Sequence, residues 1–343
     1  MTSFLMYLRE NKASRFFIGG VIVLSFFTGI IFDVLLLHKV SFFYSNTKCL
    51  SNLKFVNPEP ECDLYEDKLE RMNTLQNDLG VKINGYIDTK RATKIAVFTR
   101  DLNSQRFAGV NDAEIFYMAS LLKVPLAIAY YRLSEITSDI LDQKIVYKDV
   151  SDTGMEYSFQ NIPDSKKLVE GKEYTVQKLL FNTLAYSDNS TAQLLLNGYI
   201  SEDYLQKILL AIGLQVSKNG MPENLVTAKS YAGVFRILYN ASFLQRETSN
   251  AILKILSDSG FANGATKKLP KDIVVAHKFG ERTILDPVTK QVVSRQLHDC
   301  GIVYAKDGKE PYTFCIMTEG EDFKDLETIL QDISLEIYQG IVE

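Results

Sequence analysis

The chain has no tryptophan, and only three histidines, four cysteines and eight prolines in 343 residues. Each scarcity excludes something. His38, His277 and His298 stand apart from one another, and nothing around them marks one as the base of a Ser-His-Asp triad. Cys49, Cys62, Cys300 and Cys315 show no Cys-x-x-Cys spacing, so neither a metal site nor a cofactor is expected. Net charge is −4 and no basic cluster occurs, which argues against nucleic acid as a partner. Internal repeats and low-complexity tracts are missing as well. What is present is an ordinary globular balance, 46% hydrophobic and 23% charged, ample for a large core.

One long apolar run stands at the start. Phe16 to Leu37 is interrupted only by Ser25, Thr28 and Asp33 among polar residues. At about 1.5 Å per residue it spans the ~30 Å hydrocarbon layer. Asp33 would cost ~3 kcal/mol at mid-bilayer, but it lies near the end of the run and can reach the interface. Arg9, Lys12 and Arg15 precede the run, which leaves the N-terminus cytoplasmic and the remainder outside. A cleaved signal peptide is the competing reading, though no Ala-x-Ala site follows. Cys49 lacks a preceding Leu-x-x lipobox. The expected organisation is a tail over 1–15, a membrane anchor over 16–37, a stalk over 38–62 and a folded domain over 63–343. Cys49 and Cys62 in the stalk can pair outside the membrane, or stay independent.

Periodicity within the domain predicts a helix over Asp63–Leu79 closed by Gly80 and a hairpin of 95–99 with 106–110. A buried helix over 121–133 follows, bent near Pro125, and then a largely helical block over 140–212. Strands near 273–278, 297–305 and 312–318 and a last helix over 323–341 complete the pattern. A chain that leaves a sheet, builds a helical lobe and returns predicts an α+β fold, an antiparallel sheet with flanking helices plus an all-helical lobe. The site is expected between the lobes. Cys300 and Cys315 are equidistant from Asp307-Gly308, a hairpin turn signal, so they can face one another; Pro311 disfavours the simplest register.

The chemistry is concentrated at Ser120 and Lys123, three apart at the start of an apolar run. On a helix such residues share a face. A serine needs a base to become a nucleophile, and a lysine serves if burial or a second cation lowers its pKa towards ~7–8. The helix start also directs N–H groups at a developing oxyanion. Ser-x-x-Lys alone carries little weight. Ser187-Asp188-Asn189 lies 67 residues on, and Lys278-Phe279-Gly280 lies 91 further. That order matches the S-x-x-K, S-D-N and K-T-G set of penicillin-recognising serine enzymes.

On these motifs the chain resembles the class A β-lactamase family, as a divergent member, and the resemblance covers nearly all of 63–343. Phe116–Lys123, Gly171–Val176, Tyr186–Ala192 and Val274–Lys278 are similar to the family's motif-bearing segments. The resemblance implies that Ser120 is acylated and that Lys123 acts as base. It implies that Ser187 passes a proton to the leaving nitrogen and that Lys278 supplies positive charge. Asn189 would hold a substrate side-chain amide, Asp188 would brace its loop, and the N–H groups of Ser120 and Glu281 would form an oxyanion hole beside Gly280. Tyr157 resembles the aromatic that borders the cleft.

Two departures stand out. Phe279 replaces the hydroxyl residue of the third motif, and Arg282 (with Thr283 beside it) is the candidate to bind a substrate carboxylate instead. The stretch 214–227 stands for the family's Ω-loop but is shorter and has no Glu-x-x-Leu-Asn; Glu223 is its only acid. Losing general-base help there would cost ~10²–10⁴ in deacylation rate. The resemblance therefore implies a serine hydrolase that opens β-lactams, with a D,D-peptidase acting on peptides ending in D-Ala-D-Ala, or a non-catalytic binding relative, as alternatives. A monomer anchored at the cell membrane, with its catalytic domain outside the cytoplasm, is expected.

Overall fold

Strands β1 (Lys94–Asp101) and β2 (Phe107–Val110) form the expected hairpin and one edge of a five-stranded antiparallel sheet. The computed structural model of the chain describes residues 68–150, 159–160, 162–214 and 225–342. The expected membrane anchor over 16–37, the stalk with Cys49 and Cys62, Tyr157 and Glu223 lie outside those residues. Among the described residues no helix is long and apolar enough to cross a membrane.

The sheet is completed late in the chain by β7 (Val274–Leu285), β8 (Val292–Tyr304) and β9 (Glu310–Gly320), in the order β2-β1-β9-β8-β7. Each of its faces is buried. Ile95, Val97, Phe314 and Ile316 point to one side, where α1 (Lys68–Asp88) and the C-terminal helix α8 (Phe323–Val342) cover them. Ala96, Phe98, Cys315 and Met317 alternate to the other side and meet the helical lobe, as period-two strands require. That lobe comprises α2 (Lys123–Ser134), α3 (Val176–Ala185), α4 (Asn189–Leu196), α5 (Glu202–Ala211), α6 (Ala228–Tyr239) and α7 (Arg246–Ser257). Helix α2 is at its centre, with every residue from Lys123 to Tyr131 buried, the mark of a helix apolar on all sides.

Several local expectations are corrected. Helix α1 does not stop at Gly80 but runs to Asp88, because Leu79 and Ile83 continue the buried stripe of Met72 and Leu75. The segment around Ile145 is not helical. Strand β4 (Lys144–Val146) pairs with β5 (Glu173–Thr175) as a small ribbon. A second ribbon joins β3 (Ile115–Tyr117) to β6 (Leu225–Thr227). His298-Asp299-Cys300 lies within the body of β8, which begins at Val292, ahead of the expected start near 297. Pro125 falls in the first turn of α2, where its missing N–H has no intrahelical partner to lose.

Cys300 pairs with Cys315 across β8 and β9, at a Cα–Cα distance of 3.9 Å, and the two are disulfide-bonded. Lys306, Asp307 and Gly308, all at positive φ, turn the chain between these strands. Pro311 is accommodated opposite Tyr304, and its carbonyl still accepts from Leu102 N–H at 2.9 Å.

Candidate active site

Ser120 lies in a short 3₁₀ turn, Ala119–Leu122, which leads directly into α2 at Lys123. In a 3₁₀ turn, residues i and i+3 eclipse one another, so the amine lies over the hydroxyl more directly than on an α-helix. Lys123 Nζ is 3.1 Å from Ser120 Oγ. Ala119 is held at φ 47°, a region that costs a non-glycine residue ~1–3 kcal/mol and that is retained only where the surroundings impose it. Here they do. Gln296 Oε1 accepts from Tyr117 N at 3.2 Å, His298 Nε2 lies 3.2 Å from Tyr117 O, and Tyr231 donates to Leu121 O at 2.7 Å. Burial pushes His298 down to about 4, so it is neutral at pH 7 and serves as a fixed strut, far from the role of a general base.

The second motif enters from the lobe. Ser187, at φ 55°, is the second residue of the site in the left-handed region. Asp188 caps α4 by accepting Thr191 N–H at 3.1 Å, which fixes the turn that aims Ser187 and Asn189 inward. Lys123 Nζ reaches Ser187 Oγ at 3.1 Å, Ser187 O at 2.6 Å and Asn189 Oδ1 at 2.6 Å.

The third motif lies on β7, which among the described residues is an edge strand paired only with β8. An edge strand has one row of backbone groups without a ladder partner, available to a ligand. Lys278 donates to Ser187 Oγ at 2.8 Å and to Phe279 O at 2.8 Å. Gly280 allows the strand to approach the nucleophile turn: a Cβ there would meet Leu121 Cγ at 3.0 Å and Met118 O at 3.2 Å. Ser120, Lys123, Ser187, Asn189, Lys278 and Gly280 are thus brought together from segments up to 160 residues apart. The polar ones form a continuous relay, Ser120–Lys123–Ser187–Lys278.

Electrostatics favour an uncharged base. Burial pushes the Lys123 amine down to about 7, partly offset by the charges of Asp188 and Glu281. Lys278 is fully buried, and burial together with the nearby Lys123 holds it well below the usual amine range, against the pull of Asp299 and Glu281. A lysine deprotonated near neutrality can accept the proton of a neighbouring hydroxyl.

The remaining expected residues are placed differently. The Phe279 ring is buried, 4.3 Å from Phe261 and 4.1 Å from Lys278 Nζ, so the aromatic that replaces the hydroxyl lies against the lysine nitrogen. The Arg282 guanidinium stacks 4.2 Å above the Tyr117 ring, beside the nucleophile turn. Glu281 is buried, and its Oε1 accepts Phe159 N–H at 3.3 Å. Sequence reasoning had no access to Gln160, whose Oε1 accepts from Asn189 Nδ2 at 3.1 Å. It also missed the buried pair of His277 Nδ1 and Asp299 Oδ1, 2.8 Å apart, behind Lys278. The neighbouring positions 277 and 278 gave no signal, because the partner is 22 residues away on β8.

Comparison with known proteins gives the family. The model of the beta-lactamase enzyme family matches residues 78–341. The chain belongs to that family. Among curated proteins, beta-lactamase VEB-1 of Pseudomonas aeruginosa is 25% identical over 280 residues, 76% of this chain and 90% of that relative. Among solved structures, TLA-3 extended-spectrum beta-lactamase superposes with a TM-score of 0.66 at 17% identity, covering 79% of this chain and 100% of that one. A beta-lactamase from Chitinophaga pinensis gives 0.63 at 21% identity, over 76% and 98%. PBP-A, in an acyl-enzyme complex with penicillin G, gives 0.63 at 16% identity, over 78% and 96%. The fold is therefore the α+β fold of β-lactamases and transpeptidases, and the chain is a serine β-lactamase-like hydrolase.

Proposed function

We propose that this chain opens β-lactam rings through an acyl-Ser120 intermediate. The observation that carries the reading is the unbroken contact chain from Ser120 Oγ through Lys123 Nζ and Ser187 Oγ to Lys278 Nζ. In the proposed step, neutral Lys123 takes the Ser120 hydroxyl proton as Oγ bonds to the lactam carbonyl carbon. The developing oxyanion is met by the N–H groups of Ser120 and Glu281, and Asn189 holds the substrate's side-chain amide. The C–N bond then breaks, and Ser187 protonates the leaving nitrogen while it takes up the proton that Lys123 received, with Lys278 holding the same oxygen. Arg282 is the proposed contact for the substrate carboxylate, with Gly280 lining the same edge and Tyr157 bordering the cleft. Water releases the product by cleaving the ester, with the Glu223 carboxylate as the proposed general base.

The D,D-peptidase reading uses the same acylation step on peptides ending in D-Ala-D-Ala. PBP-A, a penicillin-acylated protein of this fold, keeps it in view. A single assay separates them. Steady hydrolysis of a chromogenic cephalosporin, lost in Ser120→Ala, supports the lactamase. One stoichiometric burst, together with D-alanine release from an acyl-D-Ala-D-Ala peptide, supports the peptidase. Silence in both assays contradicts the acyl-transfer reading altogether.

Placement outside the cytoplasm belongs to the same proposal. The buried Cys300–Cys315 disulfide suits an oxidising compartment. Residues 16–37 would anchor the protein as a single-pass membrane segment, with 1–15 inside, 38–62 as a stalk and 63–343 as a monomeric, class A-like catalytic domain. Retention of the full-length chain in carbonate-washed membranes, and its accessibility to an external protease in intact cells, test that topology.

A further inference from the structure

Phe159 and Gln160 make contacts that acyl transfer does not require. Gln160 Oε1 accepts from Asn189 Nδ2 on the helical wall of the cleft. Phe159 N–H donates to Glu281 Oε1 on the strand wall. The Phe159 ring packs edge-on against Phe261 at 5.5 Å and Phe323 at 5.2 Å, which anchors the pair on the strand side. Two consecutive residues therefore tie one wall to the other beside the nucleophile.

The chemistry of the tie is specific. Asn189 Oδ1 is engaged by Lys123 at 2.6 Å, which fixes the plane of the carboxamide and leaves Nδ2 as its donor. The proposed function assigns that donor to the amide carbonyl of a substrate side chain. Gln160 presents to it an acceptor of the same kind, a carboxamide oxygen, at an ordinary hydrogen-bond distance of 3.1 Å. We propose that Gln160 is a specificity-determining residue: its side-chain carbonyl stands in for the substrate's amide on Asn189. A β-lactam with an acylamino side chain must displace it, and one without need not. The inference rests on the β-lactam reading of the site. An exchanged hydrogen bond of this type is worth roughly three- to tenfold in rate or affinity.

The test compares two penicillins on the full-length chain: benzylpenicillin, which carries an acylamino group, and 6-aminopenicillanic acid, which carries a free amine. Second-order acylation rate constants are measured by intact mass for the unaltered protein, Gln160→Ala and Gln160→Met. The methionine keeps the length of the side chain and removes its carbonyl, so it separates loss of the acceptor from loss of bulk. Both variants are expected to react three- to tenfold faster with benzylpenicillin and within twofold of the unaltered protein with 6-aminopenicillanic acid. Equal changes for both penicillins, or slower reaction with benzylpenicillin alone, would overturn the proposal while leaving the β-lactam reading intact. An unaltered protein and variants that neither form an adduct with nor hydrolyse either penicillin would overturn both.

Discussion

On the helical wall, Ser120, Lys123, Ser187 and Asn189 are linked to one another through Lys123 Nζ, which contacts the other three residues. On the strand wall, Phe279, Glu281 and Arg282 each engage a different partner: the Phe261 ring, the Phe159 N–H and the Tyr117 ring. In the proposed reaction the helical wall holds the groups that exchange protons, and such groups need mutual contact within hydrogen-bond reach. The strand wall holds groups that can read a ligand; the supports of Phe279 and Glu281 touch each other through Phe261 and Phe159, while Arg282 rests on Tyr117. Lys278 belongs to both walls, since it rises from β7 but bonds Ser187. On the proposed reading the chemistry is carried by the network around Lys123, and the reading of the substrate carboxylate by contacts outside it.

Perturbing each wall should expose that difference. Ser120→Ala should abolish acylation, a loss on the order of 10⁶ for removal of a nucleophile, without changing thermal stability. Residual adduct formation at another residue would break the assignment. Lys123→Ala should slow acylation by roughly 10²–10⁴. The pH profile of the unaltered protein sharpens that point. A base depressed to about 7 is protonated below that pH and free above it, so acylation should rise through pH 7 and level off above. A flat profile from pH 6 to 9 would remove Lys123 from the role.

Changes on the strand wall should be milder and separable. Phe279→Thr restores a hydroxyl but empties the space beside Phe261, so it should cost about 3 kcal/mol in chemical denaturation. Unchanged stability would mean that the ring contributes no packing there. Arg282→Ala should raise the KM for a carboxylate-bearing β-lactam about tenfold and leave the acylation rate at saturation nearly unchanged. An equal fall in both parameters would place Arg282 with the connected network instead.

These two walls also differ in how far the sequence foretold them. Ser120, Lys123, Ser187, Asn189 and Lys278 were legible because each needs a fixed residue type at a fixed place in a short motif. Longer-range features were not. Gly80 read as a helix end, yet the apolar stripe of Leu79 and Ile83 kept α1 going to Asp88. Tertiary burial overrode the local signal. The 3₁₀ turn under Ser120 follows from the left-handed Ala119, which no pattern announces. Gln160 depends on a contact with Asn189 that only the folded chain creates, and half-buried Gln160 carries no periodicity of its own. The facing cysteines were visible by counting from Asp307-Gly308, and the register proved to tolerate Pro311.

The most direct test of the whole account is intact-mass analysis of the full-length chain exposed to penicillin G, followed by peptide mapping. Ring opening retains every atom of the antibiotic, so the account predicts one adduct equal to the whole penicillin mass, located on Ser120. It should form faster as the pH rises through 7, and Ser120→Ala should not form it. An adduct on any other residue, or neither an adduct nor Ser120-dependent hydrolysis at any pH, would contradict acyl transfer through Ser120.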